Sequence, residues 1–478
     1  MAAILNTPAL AGTRWGLLAM TVSGETVAEI HPDDRFMPAS NTKIFTTATA
    51  FARLDGIEAP DLGDGTSVRL VMPVEGGLPD LVLVGAGDPA LGDGPDCIET
   101  CLVALADAAA AYLSQTGDHI GAVIGDDRLY PDERWGPGWS WEDMQEPYGA
   151  AVSALTVNDN TVLLEVAPGA GLGEPVRAAW RDGDDALALS DVLTLENTAL
   201  TVADGDTDLR IERRPGGNVA RLYGVMAVGA VPTTIRIGLD DPAVAAAARF
   251  RRLLMQRGVV VEGGVRERHR PLTLSDDGQP RAGSRAGSEP VEADLEGVEI
   301  ARLPRPPLLE TLTRISKVSQ NLQAELILRR LGGLDGTGSR AAGLEQVEAV
   351  LAEAGVDRAA FDLHDGSGMS AYNRVTPRAT TTFLLWTARQ PWGVAWRETL
   401  PVGGRDGTLA RRFVGTPLEG RVFAKTGTLN GVNALAGFLT AASGQTLVFS
   451  IYANDRPSTA GSAVEAMDRA LVALAAAN

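Results

Sequence analysis

Lysine is scarce in this chain. Of its 42 basic residues only Lys43, Lys317 and Lys425 are lysine, and the other 39 are arginine. Arginine stays protonated in proteins, whereas a buried ammonium can give up its proton. A lysine that must act as a base cannot be replaced by arginine, which makes the three lysines worth following. Long apolar runs are lacking too. No stretch approaches the ~18 residues of a membrane span, and the alanine runs are interrupted by Asp or Arg. The start, MAAILNTPALAGTRWGLL, shows neither the basic n-region nor the long h-region of a secretory signal. That leaves a cytoplasmic protein or one whose signal has been removed. Positive charge is in deficit: a net charge of −19 and a pI near 4.7 argue against nucleic acid as a partner, because phosphate contacts need clustered basic groups.

Cysteine is almost absent. Cys97 and Cys101 lie in CIETCLVALADAAAAYL, which reads as one helix. Side chains so placed on a helix make a strain-free disulfide unfavourable, so both read as small buried apolar residues. No His or Cys group adds metal-ligand spacing, and neither a metal nor a cofactor is expected. The four histidines (His31, His119, His269 and His364) fall in loop-like or basic contexts, and no serine sits in G-x-S-x-G. His364, in FDLHDGSGMS, is the best candidate for a Ser-His-Asp triad, and the context disfavours that mechanism.

The 478 residues, 45% hydrophobic and 22% charged, are those of a globular chain with two or three domains. TRWGLLAMTVSGETVAEIHP reads as a β-hairpin, and an apolar-faced helix follows from Ser40. Short strands with Gly, Asp and Pro between them begin near Val68. IGAVIGDDRLYPDERWGPGWSWEDMQEPYGA is a strand running into a loop rich in Trp and acids. Several short strands lie between Thr161 and Arg221. DDPAVAAAARFRRLLMQRG has Asp at its cap, Pro242 in its first turn and Gly258 at its stop, and so reads as a helix. Leu274 to Asp294 is polar, Gly-rich and reads as an exposed loop. The end of the chain is a β-meander followed by a helix with Ser458 as its expected cap. Strands at both chain ends suggest one sheet built from the two termini, with the middle inserted.

Ser40 and Lys43 are i, i+3 on one helix face, with Ser40 in the first turn, where the helix dipole favours developing negative charge. A hydroxyl needs a nearby base to become a nucleophile, and a desolvated lysine can supply one. Lys425 opens KTGT at the end of a strand. There Gly427 would let a substrate backbone approach, and Thr426 and Thr428 offer groups that bind a carboxylate or an oxyanion. Lys317 lies two residues before Ser319-Gln320-Asn321, where Ser319 can relay protons and Asn321 can orient a substrate carbonyl. S-x-x-K, S-x-N and K-T-G in this order form the signature set of penicillin-binding proteins and class A β-lactamases.

With GAGDPAL, GPGWSWEDM, PYGAAVSALTVNDN, DGSGMS, NRVTP and LPVGGRDGTL beside those motifs, and 276 residues between Lys43 and Ser319, the chain resembles the D-alanyl-D-alanine carboxypeptidase/endopeptidases, the class C low-molecular-mass penicillin-binding proteins, over nearly its whole length. The resemblance implies an α+β fold: a β-lactamase/transpeptidase-like domain, an antiparallel sheet with helices on both faces, over 1–65 and 300–478. An inserted α/β domain (66–160 and 225–299) and a small β-rich one (161–224) complete it. By motif Ser40 would be the acyl-ester nucleophile and Lys43 its base. Ser319 would pass a proton to the leaving amine, Asn321 would hold substrate, and Lys425 would supply positive charge and help to bind the terminal carboxylate. Backbone N–H groups of Ser40 and Thr428 would form the oxyanion hole. The implied substrate is a peptidoglycan stem peptide ending in D-Ala-D-Ala, or a crosslink made from one, with β-lactams as inhibitors. The implied location is the periplasm or the cell wall outside. Asp143 and Tyr148 match positions that in some relatives contact the stem peptide's side-chain terminus, while Ala371 stands where relatives often carry Arg, with Arg374 close by. Two other readings are a β-lactamase or esterase on the same scaffold, which would differ in deacylation rate, and a non-catalytic wall-binding protein, against which the intact catalytic set argues.

Overall fold

The computed structural model describes residues 2–60, 64–73, 76–94, 97, 100–181, 192–276, 297–334 and 336–478. Most of the polar loop expected over Leu274 to Asp294 lies outside them, and Leu274–Asp276 is a short 3-10 turn.

Both termini build the central antiparallel sheet. Its order is Val422–Leu429, Val432–Thr440, Thr446–Asn454, Arg14–Thr21 and Thr26–Ile30. Arg14 to Thr21 pairs residue by residue with Asn454 to Leu447. The two-residue period of a strand sends alternate side chains to opposite faces, and both faces here are apolar. Ala434, Ala436, Phe438, Val448 and Tyr452 join the helices Thr42–Arg53, Leu308–Lys317, Asn321–Gly332, Arg340–Glu353 and Pro377–Thr387. Leu435, Leu439, Leu447, Phe449 and Ile451 meet the C-terminal helix Ala463–Ala476. A sheet covered on both sides explains why its strands read as nearly continuous apolar runs, and it is the antiparallel sheet with helices on both faces that the sequence led us to expect.

The middle of the chain forms other sheets. Val265–Arg270, Val123–Pro131, Asp80–Val84, Ser67–Val71 and Val298–Arg302 make a five-stranded mixed sheet. The helices Leu102–Thr116 and Pro242–Gln256 pack on it through Leu105, Ala106, Ala109, Ala246 and Phe250. The Asp241 carboxylate caps the second of these, accepting from Val244 N, as the sequence indicated. A smaller β unit holds Thr161–Ala167 between Arg177–Arg181 and Thr233–Gly238. That last strand lies beyond residue 224, the bound that the resemblance implies for this unit.

Two local expectations fail. Cys97 and Cys101 are joined in a disulfide, with Cα atoms 5.6 Å apart. The helix begins only at Leu102, and Cys101 is an extended residue at its N-cap (φ −105°, ψ 123°). Both cysteines therefore precede the helix instead of riding on it, and the steric objection lapses. The last helix is capped by Ser462, whose hydroxyl accepts from Glu465 N, and not by Ser458.

Candidate active site

Ser40 lies in a 3-10 turn, Ala39–Asn41, that leads directly into the helix Thr42–Arg53. Ala39 is held at φ +47°, a left-handed conformation that is costly for a residue with a Cβ. The turn is clamped from two sides. A Cβ on Gly368 would fall 1.9 Å from Ala39 O, and one on Gly427 would fall 2.6 Å from Pro38 O and 3.1 Å from Ser40 N. The absence of a Cβ at Gly427 is thus used by the turn that carries Ser40, which packs directly against the strand.

Lys43 is fully buried, and its Nζ has three neighbours: Ser40 Oγ at 3.0 Å, Asn321 Oδ1 at 2.6 Å and Ser367 O at 2.5 Å. A neutral amine has two N–H groups and one lone pair. Asn321 Oδ1 and Ser367 O can only accept, so they take both N–H groups and leave the lone pair facing the Ser40 hydroxyl. Burial pushes Lys43 down to about 7, against the opposing pull of the Asp365 and Glu325 carboxylates. The arrangement holds an amine at the edge of neutrality beside a hydroxyl, which is what a general base for serine requires.

Lys425 is buried as well, donating to Ser319 Oγ at 2.9 Å and to Thr426 O at 3.0 Å. Desolvation first, and then the neighbouring charge of Lys43, hold it well below the usual lysine range. Ser319 sits in the loop between the helices Leu308–Lys317 and Asn321–Gly332, and its φ is +64°. A β-carbon residue in that conformation costs on the order of 1–3 kcal/mol, and here the strain aims the hydroxyl at Lys425.

Asn321 bridges Lys43 and the acidic aromatic loop. Its amide is spent on the protein at both ends, with Oδ1 on Lys43 and Nδ2 donating to Tyr148 O at 2.8 Å. Gln320, between the two outer residues, turns away and caps the helix by accepting from Gln323 N. Thr426 Oγ1 donates to Thr408 Oγ1 at 2.7 Å, and Thr428 is exposed. Val422–Leu429 is the sheet's last strand. Among the described residues its outer edge is bridged only near its start, by Pro401 and Val402, so the edge beside Lys425 to Thr428 is open to an extended peptide. Lys317 stands apart from this cluster. It ties Leu400 O and the Asp406 carboxylate to its own helix, each at 2.7 Å, a structural duty.

Sequence reasoning missed the support behind Lys43. Asp365 accepts from Gly368 N, Ser370 N, Asn373 Nδ2 and Trp139 Nε1, which folds the DGSGMS segment into a tight loop. Glu325 Oε1 accepts from Gly366 N at 2.9 Å and Ser367 N at 2.8 Å. The only available signal was spacing: Glu325 is one turn after Asn321, on the same helix face. His364 stays outside the cluster, edge-on to Tyr372, with burial holding its imidazole below its ordinary range. The acidic aromatic loop reaches the site through Tyr148, whose hydroxyl donates to Asp143 Oδ1 at 3.0 Å. Arg374 turns its guanidinium onto Ala371 O and Asn373 O.

Among known proteins, a D-alanyl-D-alanine carboxypeptidase of Actinomadura sp. (strain R39) is 33% identical over 480 residues, which cover 97% of this chain and 82% of that protein. D-alanyl-D-alanine carboxypeptidase DacB of Haemophilus influenzae is 23% identical, with 93% and 86% covered. The crystal structure of penicillin binding protein 4 (dacB) from Haemophilus influenzae superposes with a TM-score of 0.76 at 22% identity, covering 97% of this chain and 94% of that one. A second structure of it, complexed with a novel β-lactam, gives a TM-score of 0.71 at 21% identity, covering 99% and 98%. These two likenesses establish the fold. The model of the D-Ala-D-Ala carboxypeptidase 3 (S13) family matches residues 1–280 and 289–477, so that nearly every segment described above falls under a single family pattern, and the chain belongs to that family.

Proposed function

We propose that Ser40 is the nucleophile and Lys43 the general base of the serine D,D-peptidase activity that family membership gives this chain. The observation that carries the assignment is the buried Lys43 amine, whose two fixed acceptors leave its lone pair for Ser40 Oγ at 3.0 Å. Lys43 takes the hydroxyl proton as Ser40 Oγ attacks the carbonyl carbon of the penultimate D-Ala. The N–H groups of Ser40 and Thr428 receive the oxyanion. Ser319, with Lys425 behind it, delivers a proton to the departing D-Ala nitrogen, and water then hydrolyses the acyl ester. In this scheme Asn321 orients Lys43 and does not hold substrate. Thr426, Gly427 and Thr428 form the strand edge along which the peptide lies, with the Lys425 charge near its terminal carboxylate.

The substrate is a peptidoglycan stem peptide ending in D-Ala-D-Ala, or a D-Ala crosslink, and β-lactams acylate the same serine. The exposed Tyr148 beside Asp143 supports a peptide side chain passing this loop. Such a substrate implies a periplasmic or cell-wall location. No described helix is long and apolar enough to cross a membrane. The same reading divides the chain into a catalytic unit (1–65 and 300–478), an α/β insertion and a small β unit carried on to residue 238, in keeping with the strand pairings.

The test is intact-mass spectrometry after incubation with a penicillin, wild type beside Ser40→Ala. A persistent adduct on wild type alone is expected. Penicillin consumed without an adduct would mark a β-lactamase. Neither adduct nor consumption would remove the catalytic reading.

A further inference from the structure

Behind Lys43 lies a second layer of buried acid that the proposed mechanism leaves idle. The Ser367 carbonyl that takes one Lys43 proton belongs to the peptide group whose N–H, on Gly368, is bound at 2.9 Å by Asp365. The peptide N–H groups just before it, on Gly366 and Ser367, are bound by a single oxygen, Glu325 Oε1. Asp365 is consumed in folding its loop, with five donors around it. Glu325 is different. It comes from another element, the helix Asn321–Gly332, and its carboxylate binds the segment that presents Ser367 O, through Gly366 N, Ser367 N and the Ser367 side chain. The same helix supplies Asn321 Oδ1, the other fixed acceptor of Lys43. One rigid helical turn therefore fixes both acceptors, one directly and one through the backbone of residues 366 and 367. Chains of hydrogen bonds in a dry interior polarise one another, so charge on Glu325 is felt at the amine.

We propose that Glu325 is a positioning residue for acylation, which holds the Ser367 carbonyl against Lys43 and, through its negative charge, sets the pH at which Lys43 becomes a base. The inference rests on Lys43 being that base. Glu325 is fully buried, and desolvation and then Asp365 raise it to about 7, opposed first by its hydrogen bond from Ser367 and then by Arg329. Three other charged groups face the pair: Lys425 toward Lys43, and Arg329 with its partner Glu133 toward Glu325. Removing the Glu325 charge takes away one of the two carboxylates that favour the ammonium, so the amine becomes neutral at lower pH.

Glu325→Gln keeps an oxygen for the two N–H groups and discards the charge, whereas Glu325→Ala discards both. The measurement is the second-order rate of penicillin acylation from pH 5 to 9, followed by intact mass, on full-length protein. Acylation should rise with pH as Lys43 loses its proton. In Glu325→Gln the midpoint of that limb should fall measurably, though by less than the ~1 pH unit of a fully ionised neighbour, because Glu325 gains its own proton over the same range. In Glu325→Ala the rate should drop at least tenfold at every pH. A merely structural glutamate would lower stability and leave the midpoint where it is. A Glu325→Gln limb superposable on wild type therefore overturns the proposal even if both variants are sluggish. Lys43→Arg is measured alongside. Its loss of acylation keeps the two results apart, and its retention at the wild-type rate would remove the base assignment and this inference with it.

Discussion

Gly427→Ala tests the geometry of the site with the smallest possible change. The added methyl would lie 2.6 Å from Pro38 O, 3.1 Å from the Ala434 methyl and 3.1 Å from Ser40 N. Ordinary carbon contacts begin near ~3.4 Å, so roughly 0.8 Å must be found between the Lys425–Thr428 strand and the nucleophile turn. The strand cannot yield readily, because Gly427 is registered against Ala434 inside a continuous antiparallel ladder. The turn must yield instead. It carries both the Ser40 hydroxyl and the Ser40 N–H that we assign to the oxyanion hole. Displacing reacting groups by about 1 Å costs about 100-fold in rate, and losing one oxyanion donor costs about 100- to 1,000-fold. Gly427→Ala should therefore acylate with penicillin about 100-fold or more slowly, while losing only about 1–3 kcal/mol of stability from overpacking. Stopped-flow acylation with a chromogenic cephalosporin, beside a urea titration, separates the two. Wild-type acylation by a folded Gly427→Ala would refute the argument that the turn and the strand are locked together.

Four further outcomes follow from other contacts. Ser319→Ala, which removes the hydroxyl 2.9 Å from Lys425 Nζ, should slow release of the D-Ala leaving group from a D-Ala-D-Ala peptide by about 100-fold or more, read as free D-alanine. Glu133→Gln should cost about 3 kcal/mol or more in denaturant unfolding, because Arg329, 1% exposed, would keep its charge without the carboxylate 3.0 Å away. His269 is raised from 6.5 to about 10 by its hydrogen bonds to Asp127 and then Asp241. A raised folded-state value gives stability that is complete below about pH 6.5 and fades toward pH 10, so the melting-temperature gap between wild type and His269→Gln should narrow over that range. For the cysteines, iodoacetamide should label the unfolded protein only after reduction, since Cys97 and Cys101 are bonded to each other.

What could be read from the sequence was whatever is encoded locally. The strand alternation, the Asp241 cap and the Ser–Lys spacing each involve residues within a turn or two of one another, and local stereochemistry alone fixes their relation. Lys43 shows where that reading stops. Its rarity among 39 arginines marks it as a residue kept for its amine, yet what makes the amine basic is contributed from 278 and 324 residues away, by Asn321 Oδ1 and Ser367 O. The motif located Asn321 and, in the absence of a fold, assigned it to substrate. Only the packing of two helices and a loop reveals that its amide is already satisfied by Lys43 and Tyr148. Glu325 carried only its spacing from Asn321, and Asp365 only its place in DGSGMS, because the role of a buried acid is recognisable only once the donors around it are known. The disulfide follows the same logic in the opposite sense. The helix was placed five residues too early, and a bond was rejected on the geometry of a turn that begins only at Leu102. On the proposed assignment, sequence motifs of this kind point to the atoms that would react, while groups that would tune them have to be sought one peptide unit further out. That is where the fold has placed Glu325.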